Sequence, residues 1–377
     1  MPADDAVLAY FPKLIRAGLD ADALRVETLG VAILRRIRMT SPTVAAEIAE
    51  TLSHRAAGSS PLRAVGIQPP PTDTDSRLAL ACVQEPEELP EPILAPQERQ
   101  GIDRFIKERR GAQVLLEQGL APPSSLLLVG PPGVGKTYTV RYLAGRLGLP
   151  LIVLDMATAV SSYLGRTGHN LRSVLDYARS RPCVLLLDEF DAIAKTRDDP
   201  GDVGELKRIV NVLLTELEHW PCSSILAAAT NHPHLLDKAI WRRFEHTLSL
   251  NMPCEDERRR LLDRYLFESL PHLDRRLLGP LASQMDGGQS AADISKLADR
   301  ARRRVILDDT LPIRAIVAEY SLAAKTRTPQ ARANLLRAIK ASMGDAVSVR
   351  DLAAWFDLAH STVHHHLKRE AGTPDAE

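Results

Sequence analysis

The chain has 377 residues, of which 45% are hydrophobic, 25% charged and 4% aromatic, and its 48 basic residues balance its 48 acidic ones. This length fits two or three domains, and the zero formal charge excludes a polycation that coats nucleic acid along its whole length. No apolar run approaches the roughly 20 residues of a membrane span, and the acidic start lacks the basic and apolar parts of a signal peptide. The four cysteines are far apart, which argues against a disulfide framework and a zinc knuckle. We therefore expect a cytoplasmic, multidomain protein with no membrane partner.

Two segments precede the central part of the chain. Residues 1–55 carry apolar residues at helical spacing, and Ser41-Pro42 suits a helix start, so we expect a helical N-terminal domain. Residues 56–97 are rich in proline and glutamate and are predicted to be an extended linker. A strand or docking segment around residues 78–83 is the alternative reading of that stretch.

The segment 98–252 alternates short apolar strands with amphipathic helices. The predicted strands are Ser125–Val129, Leu151–Leu154, Val184–Leu187, Ile225–Ala229 and Thr247–Leu250. This alternation predicts an α/β fold, in which a parallel sheet is covered by helices on both faces. Residues 253–325 and 330–372 are both predicted to be helical, so the N-terminal and C-terminal domains are expected to be all-α.

A glycine-rich loop follows the first of these strands. Its residues are Gly130, Pro131, Pro132, Gly133, Val134, Gly135, Lys136 and Thr137, in the pattern G-x-x-x-x-G-K-T between a strand and a helix that starts near Tyr138. The glycines let backbone N–H groups curl around phosphates, and the helix presents the positive end of its dipole. We assign these eight residues, together with Tyr138, to nucleotide binding, with Lys136 on the β- and γ-phosphates and Thr137 on Mg²⁺.

Carboxylates and an amide follow two later strands. Asp188 and Glu189 come directly after the apolar run Val184–Leu187, at the end of the strand where open α/β sheets bind ligands. Asp188 is predicted to bind Mg²⁺, and Glu189 to polarise the attacking water. Asn231 ends the next strand and is predicted to orient that water, although it is also a common polar strand cap.

Two adjacent arginines, Arg242 and Arg243, follow the predicted site residues. They can pair with carboxylates of their own chain. Alternatively, one of them reaches the γ-phosphate of a neighbouring subunit, because an arginine supplied in trans accelerates phosphoryl transfer by orders of magnitude. We therefore include both among the candidate catalytic residues.

The motifs GPPGVGKT, LLLDEFDAI, AAATN and AIWRRFE occur in an order that resembles the AAA clade of the AAA+ ATPases over about residues 90–320. Gly288–Ile294 is similar to the clade's GxSGAD segment, and Ala292 stands where many other AAA+ clades have a sensor arginine. The resemblance implies ATP and Mg²⁺ as cofactors, a hexameric homo-oligomer and a helical lid near 254–323. The adjacent arginines resemble those of a bacterial single-ring subgroup, which implies a companion protease as a partner.

Tyr163 and Leu164 lie in Ser161–Gly165, a segment similar to the aromatic–aliphatic–glycine loop that AAA translocases point into a central pore. An aromatic side chain on such a loop can grip a polypeptide without sequence specificity. The alternative is that Tyr163 is a packed surface aromatic. This segment favours a motor that remodels or translocates a polypeptide client.

The segment Ser348–Glu370 has the pattern of a helix-turn-helix. Leu352, Ala353, Phe356, Val363 and Leu367 are predicted to face inward, and Ser361 is predicted to cap the second helix. The predicted DNA contacts are Ser361, Thr362, His364, His365, Lys368 and Arg369. From Lys325 onward the basic surplus is only two, so protein docking is the alternative. A DNA-associated ATPase that assembles on duplex DNA is therefore the second function considered, and a nucleotide switch of oligomeric state is the third.

Overall fold

A computed structural model describes residues 7–19, 23–56, 71, 80–156, 167–192, 213, 215, 220–236, 238–267, 270, 273–285, 287–323 and 329–368. The chain divides into two compact units. The first unit extends to Leu250, except for Ile93–Ala95 and Pro132–Gly135, and the second consists of these two short segments and everything from Asn251. No helix among the described residues is long and apolar enough to cross a bilayer.

The first unit is built on a six-stranded sheet. Its strands are β1 (Cys82–Gln84), β2 (Ser125–Val129), β3 (Leu151–Asp155), β4 (Val184–Asp188), β5 (Ile225–Thr230) and β6 (His246–Ser249), in the spatial order β1-β3-β4-β5-β2-β6. All neighbouring strands are parallel except β1, which pairs antiparallel with β3. The predicted α/β class is confirmed, and the edge strand makes the sheet mixed rather than purely parallel.

The central strands are apolar because helices cover both faces of the sheet. Every residue of β2 and β5 is buried, as expected for strands with no solvent-facing side. The connection from β2 to β3 runs across the sheet in one direction, and the connection from β3 to β4 runs back. Right-handed crossovers in opposite directions place their helices on opposite faces.

Eight helices belong to the part of the first unit that the structure describes. They are α1 (Phe11–Leu19), α2 (Ala23–Ile37), α3 (Pro42–Ala56), α4 (Pro96–Arg110), α5 (Ala112–Glu117), α6 (Lys136–Leu147), α7 (Thr167–Arg179) and α8 (Lys238–Trp241). The helix start predicted at Ser41-Pro42 coincides with the first residue of α3.

The Pro/Glu-rich stretch before α4 contains the edge strand β1, so the strand alternative holds at residues 82–84. The residues after it lie along α6. Arg141 of that helix pairs with Glu87 at 3.2 Å, and the Tyr138 hydroxyl donates to the Pro90 carbonyl at 2.6 Å. The described part of the predicted linker is therefore attached to the domain that follows it.

The N-terminal helices contact the α/β part through small apolar clusters and buried polar groups. Leu34 and Ala49 pack on Leu116 of α5. Glu27 of α2 is buried, and its carboxylate accepts a hydrogen bond from the Ser223 N–H at 2.9 Å.

The buried Arg109 of α4 donates to the Cys222 carbonyl at 2.7 Å. The Cys222 carbonyl and the Ser223 N–H belong to one peptide group. An anionic and a cationic side chain therefore hold that peptide group from its two ends.

The second unit is helical. Its helices are α9 (Glu255–Leu262), α10 (Leu278–Gln284), α11 (Ala291–Leu307), α12 (Pro312–Ala323), α13 (Pro329–Met343), α14 (Val349–Phe356) and α15 (His360–Lys368). Apolar side chains from all of them form one continuous core, in which Leu262, Leu281 and Ile316 share a cluster with Ile339 and Phe356. The predicted lid and the predicted helix-turn-helix domain thus contribute to the same core, and the domain boundaries remain predictions.

The last two helices, α14 and α15, are joined by a short turn. Ser348 caps α14 through a reciprocal capping box with Asp351, and Asp357 ends that helix in a left-handed conformation at φ 52°. The predicted cap at Ser361 is wrong, because α15 begins one residue earlier, at His360. Ser361 lies in the first turn instead, where the carbonyl of Ala359 accepts the helical hydrogen bonds.

In this pair the predicted inward residues are confirmed, and the described residues predicted to face outward are exposed except for Thr362. Leu352, Phe356 and Val363 are buried, and Ala353 and Leu367 pack against the core. Ser361, His364, His365 and Lys368 are exposed, and Thr362 is half-buried. Arg369 lies outside the described residues.

Candidate active site

The phosphate-binding loop predicted from the sequence has the backbone of an anion cradle. Gly130, Gly133 and Gly135 have φ values of 152°, 79° and 102°, a region in which side chains other than glycine are strained. A Cβ atom added to Gly130 would lie 2.0 Å from the Leu250 carbonyl oxygen, so this turn also requires a residue without a side chain. Successive N–H groups in such a turn bind phosphate oxygens.

Lys136, the first residue of α6, is buried, and its ammonium group is fully hydrogen-bonded. It donates to the carbonyls of Gly130 and Pro131 at 2.8 Å each and to Oδ1 of Asn231 at 2.7 Å. Burial lowers its pKa, and two nearby carboxylates oppose that shift. The ammonium is thus held under the loop and next to the end of β5.

Thr137 and Asp188 form the predicted magnesium pair. The Thr137 hydroxyl donates to Oδ2 of Asp188 at 2.8 Å, so two oxygen ligands from α6 and β4 meet at one point. The described residues contain no cluster of three or more His, Cys, Asp or Glu side chains that could enclose a metal. This donor set fits Mg²⁺, which prefers one or two protein oxygens and completes its shell with water and substrate phosphates.

Glu189 directly follows β4 and has the positive φ of 51°, which is rare outside glycine. Its N–H donates to Oδ1 of Asp188 at 3.0 Å, and the Phe190 N–H donates to the Ala229 carbonyl at 2.9 Å. The exposed Glu189 side chain is therefore carried on a sharp, strained turn, in a conformation typical of functional sites.

Asp191 is a site residue that sequence reasoning missed. It is buried, and its Oδ1 accepts hydrogen bonds from the Thr230 hydroxyl at 3.0 Å and from the Asn231 N–H at 3.1 Å. This carboxylate ties the turn after β4 to the end of β5 and thereby positions Asn231. Its only signal in the sequence was its place as the third acidic residue in LLLDEFDAI.

Arg242 and Arg243 are both exposed, and they lie at the other end of the sheet. The next residue but one, Glu245, accepts hydrogen bonds from the Ser124 hydroxyl at 2.9 Å and from the Ser124 N–H at 3.2 Å. Ser124 directly precedes β2, whereas the phosphate loop follows that strand. Glu245, which sequence reasoning also missed, therefore anchors the arginines away from the phosphate site of their own chain.

Within the second unit, Gly133 lies against the segment similar to GxSGAD. The Gly133 carbonyl accepts a hydrogen bond from the Ala292 N–H at 3.0 Å, and a Cβ atom on this glycine would lie 2.4 Å from the Ser290 hydroxyl. Ser290 caps α11 through a capping box with Asp293. The loop glycine thus fits closely against the start of α11.

The remaining predicted site residues either have mixed exposure or lie outside the described residues. Among the loop residues, Val134 is buried and Pro132 is exposed, whereas Tyr138 turns its hydroxyl to Pro90. The predicted pore-loop residues Tyr163 and Leu164 lie outside the described residues. These assignments, like those of the DNA contacts, stay predictions.

The phosphate loop, the acidic turn after β4 and the polar end of β5 fall in one segment that matches a known family. Residues 126–252 match the model of the ATPase family associated with various cellular activities (AAA). Over this segment the chain is similar to AAA ATPase domains. The match begins in β2 and ends just after β6.

Sequence comparison with other proteins gives the same similarity to AAA ATPases. The AAA family ATPase y4kL of Sinorhizobium fredii is 38% identical over 207 residues, which cover 54% of this chain and 61% of that protein. A protein of Methanothermobacter marburgensis described as a homolog of a 26S proteasome regulatory subunit is 32% identical over 206 residues, covering 53% of this chain and 54% of the relative. The chain thus spans little more than half the length of these two relatives.

A solved structure shares the fold of the AAA domain. The AAA domain of FIGL-1 in complex with ADP matches with a TM-score of 0.53 at 24% identity, over 66% of this chain and 87% of that one. At this level of identity the likeness shows the fold alone. It extends beyond the family match, since 66% of the chain exceeds residues 126–252.

Proposed function

We propose that this protein is a ring-forming AAA ATPase that hydrolyses Mg²⁺-bound ATP to remodel or translocate a polypeptide. One observation carries the proposal: two direct side-chain hydrogen bonds, Lys136–Asn231 and Thr137–Asp188, meet at the carboxyl ends of β2, β4 and β5. Parallel sheets bind ligands at this edge. The glycine cradle precedes this cluster in the chain, and Glu189 extends from it.

Each residue has a role that follows from its position. Lys136 neutralises phosphate charge, and the strained glycines direct N–H groups at the same oxygens. Thr137 and Asp188 hold Mg²⁺, which supplies neutralisation of the charge on the phosphate oxygens. Glu189 accepts a proton from the attacking water.

Asn231 orients the water that Glu189 activates, and Asp191 fixes Asn231 through its backbone N–H. The Lys136–Asn231 hydrogen bond links the phosphate-binding group to the water-orienting group. A shift of either side chain, Lys136 or Asn231, therefore displaces the other. Such coupling suits a site that distinguishes ATP from ADP.

The arginines support assembly into a ring. Arg242 and Arg243 are exposed and anchored at the end of β2 that is opposite the phosphate loop. An arginine so placed serves a neighbouring subunit better than its own site. We propose a hexamer, with one of the two arginines completing the adjacent site.

The polypeptide client is inferred from the Tyr163-Leu164 motif and from the relative described as a proteasome regulatory subunit homolog. A companion protease and a cytoplasmic location belong to the same proposal. Tyr163→Ala is expected to abolish remodelling of an unfolded protein while basal ATP turnover continues.

The test of the ATPase site is Glu189→Gln. Removing the base should lower ATP turnover roughly 10²–10⁴-fold, whereas nucleotide binding, measured by titration with a fluorescent ATP analogue, should persist. Glu255→Gln, a change at an exposed glutamate on α9, is the matched control and should leave turnover unchanged. Undiminished turnover in Glu189→Gln would contradict the assignment, and a wild-type protein that binds ATP without turnover would indicate a nucleotide switch.

A DNA-associated ATPase is the second candidate, because α15 exposes His364, His365 and Lys368 next to a helix-turn-helix-like turn. Turnover should be compared with duplex DNA and with an unfolded polypeptide. Truncation before α13 would open the shared core, so the tail is better tested with His364→Glu combined with Lys368→Glu. Arg350→Glu on α14 is the control. Stimulation by DNA that is lost only in the α15 variant would favour the second function.

A further inference from the structure

The buried Arg109 of α4 connects two peptide groups of the first unit. Its Nη1 atom donates to the Cys222 carbonyl at 2.7 Å and also to the Pro123 carbonyl at 3.2 Å. Cys222 lies shortly before β5, and Pro123 lies shortly before β2, which is the neighbour of β5 in the sheet. Because a guanidinium is planar and rigid, it holds these two carbonyl groups in a fixed relation to each other.

Each of the two peptide groups is held at its N–H end by a carboxylate. In the first, the Ser223 N–H donates to Oε1 of Glu27 on α2 at 2.9 Å. In the second, the Ser124 N–H donates to Oε1 of Glu245 at 3.2 Å, and the Ser124 hydroxyl donates to the same oxygen at 2.9 Å. A single line of hydrogen bonds therefore runs from Glu27 through Arg109 to Glu245, and we call it the relay.

The charges along the relay alternate in sign. Burial lowers the pKa of Arg109 to about 10, and the negative charges of Glu27 and Glu245 oppose that shift. A buried charge is costly, and an apolar side chain of similar size would fill the same space without that cost. The guanidinium adds directional bonds to two strands, and hydrogen bonds in such a chain strengthen one another. These properties suit positioning rather than simple packing.

The far end of the relay reaches the segment that carries the two candidate arginines. The Ser125 hydroxyl donates to the Arg243 carbonyl at 3.4 Å and accepts a hydrogen bond from the Glu245 N–H at 3.0 Å. Phe244, between these two residues, is buried in the core of the sheet domain. The backbone of Arg243 is therefore placed by the start of β2, while its side chain is exposed.

We propose that Glu27 and Arg109 are positioning residues for the pair Arg242 and Arg243, so that docking of the N-terminal helices sets the arginine that each subunit offers to its neighbour. This inference rests on the proposed function, in which one of the two arginines completes the adjacent site. Placement of such a group must be accurate, since a displacement of about 1 Å can lower the rate roughly 100-fold.

The physical step is the loss of one carboxylate. When α2 moves away, Arg109 keeps Glu245 as a carboxylate partner but loses Glu27. The guanidinium then shifts toward Glu245 and moves the peptide group of Pro123 with it. Because Phe244 stays in the core, the segment turns rather than detaches, and turnover at the neighbouring subunit falls without being abolished.

The experiment measures ATP turnover in mixtures of two full-length variants. The acceptor subunit carries Arg242→Ala and Arg243→Ala, so its own site is intact but it offers no arginine. The donor subunit carries Glu189→Gln, so it offers both arginines but does not hydrolyse ATP. Mixing should restore turnover well above the sum of the separate subunits, because arginines of the donor complete sites of the acceptor.

Glu27→Ala is then added to one of the two subunits at a time. In the donor it should lower the restored turnover roughly tenfold, whereas in the acceptor it should have little effect. The KM for ATP should stay unchanged in both cases, because the residues that bind nucleotide are untouched. Glu47→Ala, at an exposed glutamate of α3, is the matched control and should change turnover in neither position.

Two further measurements keep the test decisive if Glu27→Ala folds poorly. Glu27→Gln keeps an acceptor oxygen for the Ser223 N–H and should show the same asymmetry with a smaller loss. Hydrogen exchange of the Ser124 amide, on the far side of Arg109 from Glu27, should be faster in either variant than in the wild type. Circular dichroism and binding of a fluorescent ATP analogue identify the folded variants.

An equal loss of turnover with Glu27→Ala in donor and acceptor would overturn the inference, because a purely structural role predicts that result. No loss in either position, or unchanged exchange of the Ser124 amide, would overturn it as well. A wild type without turnover, or a mixture that restores none, would instead contradict the proposed function and the role of the arginines on which the inference rests.

Discussion

The two terminal helical regions are attached to their neighbours in different ways. The C-terminal helices α13–α15 share one continuous apolar core with the helices that precede them. Among the described residues, the N-terminal helices make small apolar clusters, and their connection to the sheet domain includes the buried Glu27, which binds the Ser223 N–H on the peptide group whose carbonyl is held by the buried Arg109. Apolar burial is tolerant of repacking, whereas a buried charged group depends on each of its partners. The C-terminal helices are therefore part of a larger apolar core, whereas attachment of the N-terminal helices depends on a few specific polar contacts.

The largest effect should come from opening the shared core. Phe356→Ala removes a fully buried ring from α14 and should cost about 3–5 kcal/mol of unfolding free energy. Because the core is continuous, the helices of the whole second unit should lose stability together in urea, as followed by circular dichroism. Arg350→Ala, at an exposed position on the same helix, is the control and should have little effect. A separate early transition confined to α13–α15 would show that the tail is an independent domain.

A somewhat smaller loss of unfolding free energy is expected when the buried contacts of Arg109 are removed. Arg109→Met keeps the length of the side chain but removes its hydrogen bonds to the carbonyls of Cys222 and Pro123. It also takes away the positive charge near Glu27, so we expect a loss of about 3 kcal/mol in unfolding free energy. The double variant Arg109→Met with Glu27→Gln should recover part of that loss, since it leaves no uncompensated charge. A double variant as unstable as the sum of the single ones would contradict this account.

The smallest effect is a difference in thiol reactivity. Cys82 and Cys254 are exposed, whereas burial raises the pKa of Cys183 to about 12 and also raises the pKa of Cys222. At pH 8, iodoacetamide should label the two exposed cysteines first, because the thiolate is the reactive form. Cys222 should follow when the N-terminal helices separate from the sheet domain, and Arg109→Met should accelerate that step. Mass spectrometry of labelled peptides would show the order, and labelling of Cys183 before Cys222 would contradict it.

The sheet and the predicted phosphate-binding residues at its edge could be predicted because each is indicated by a pattern of a few consecutive residues. The strand over Ser125–Val129 was predicted with its observed bounds, since the apolar run Leu126–Val129 directly before a glycine-rich loop leaves little choice. The predicted chemistry of Lys136, Thr137 and Asp188 depended on residues next to strand ends, and the structure brings these side chains together.

The features that sequence reasoning missed depend on distant partners. Asp191 and Glu245 gain their roles from hydrogen bonds to residues 39 and 121 positions away, which no local pattern reveals. The strand β1 was left as an alternative because three residues among prolines carry almost no periodicity. The cap at Ser361 was misplaced by two residues, because α15 begins at His360 and Ala359 is the residue before it.

The peptide group between Cys222 and Ser223 has a consequence for isotope exchange. Its amide hydrogen is bonded to a carboxylate of α2, so it can exchange with deuterated solvent only after that helix moves away. Its protection factor therefore measures the free energy of detaching the N-terminal helices, separately from unfolding of the sheet. A single backbone amide thus serves as a built-in reporter of whether the N-terminal region is docked while nucleotide or client is bound.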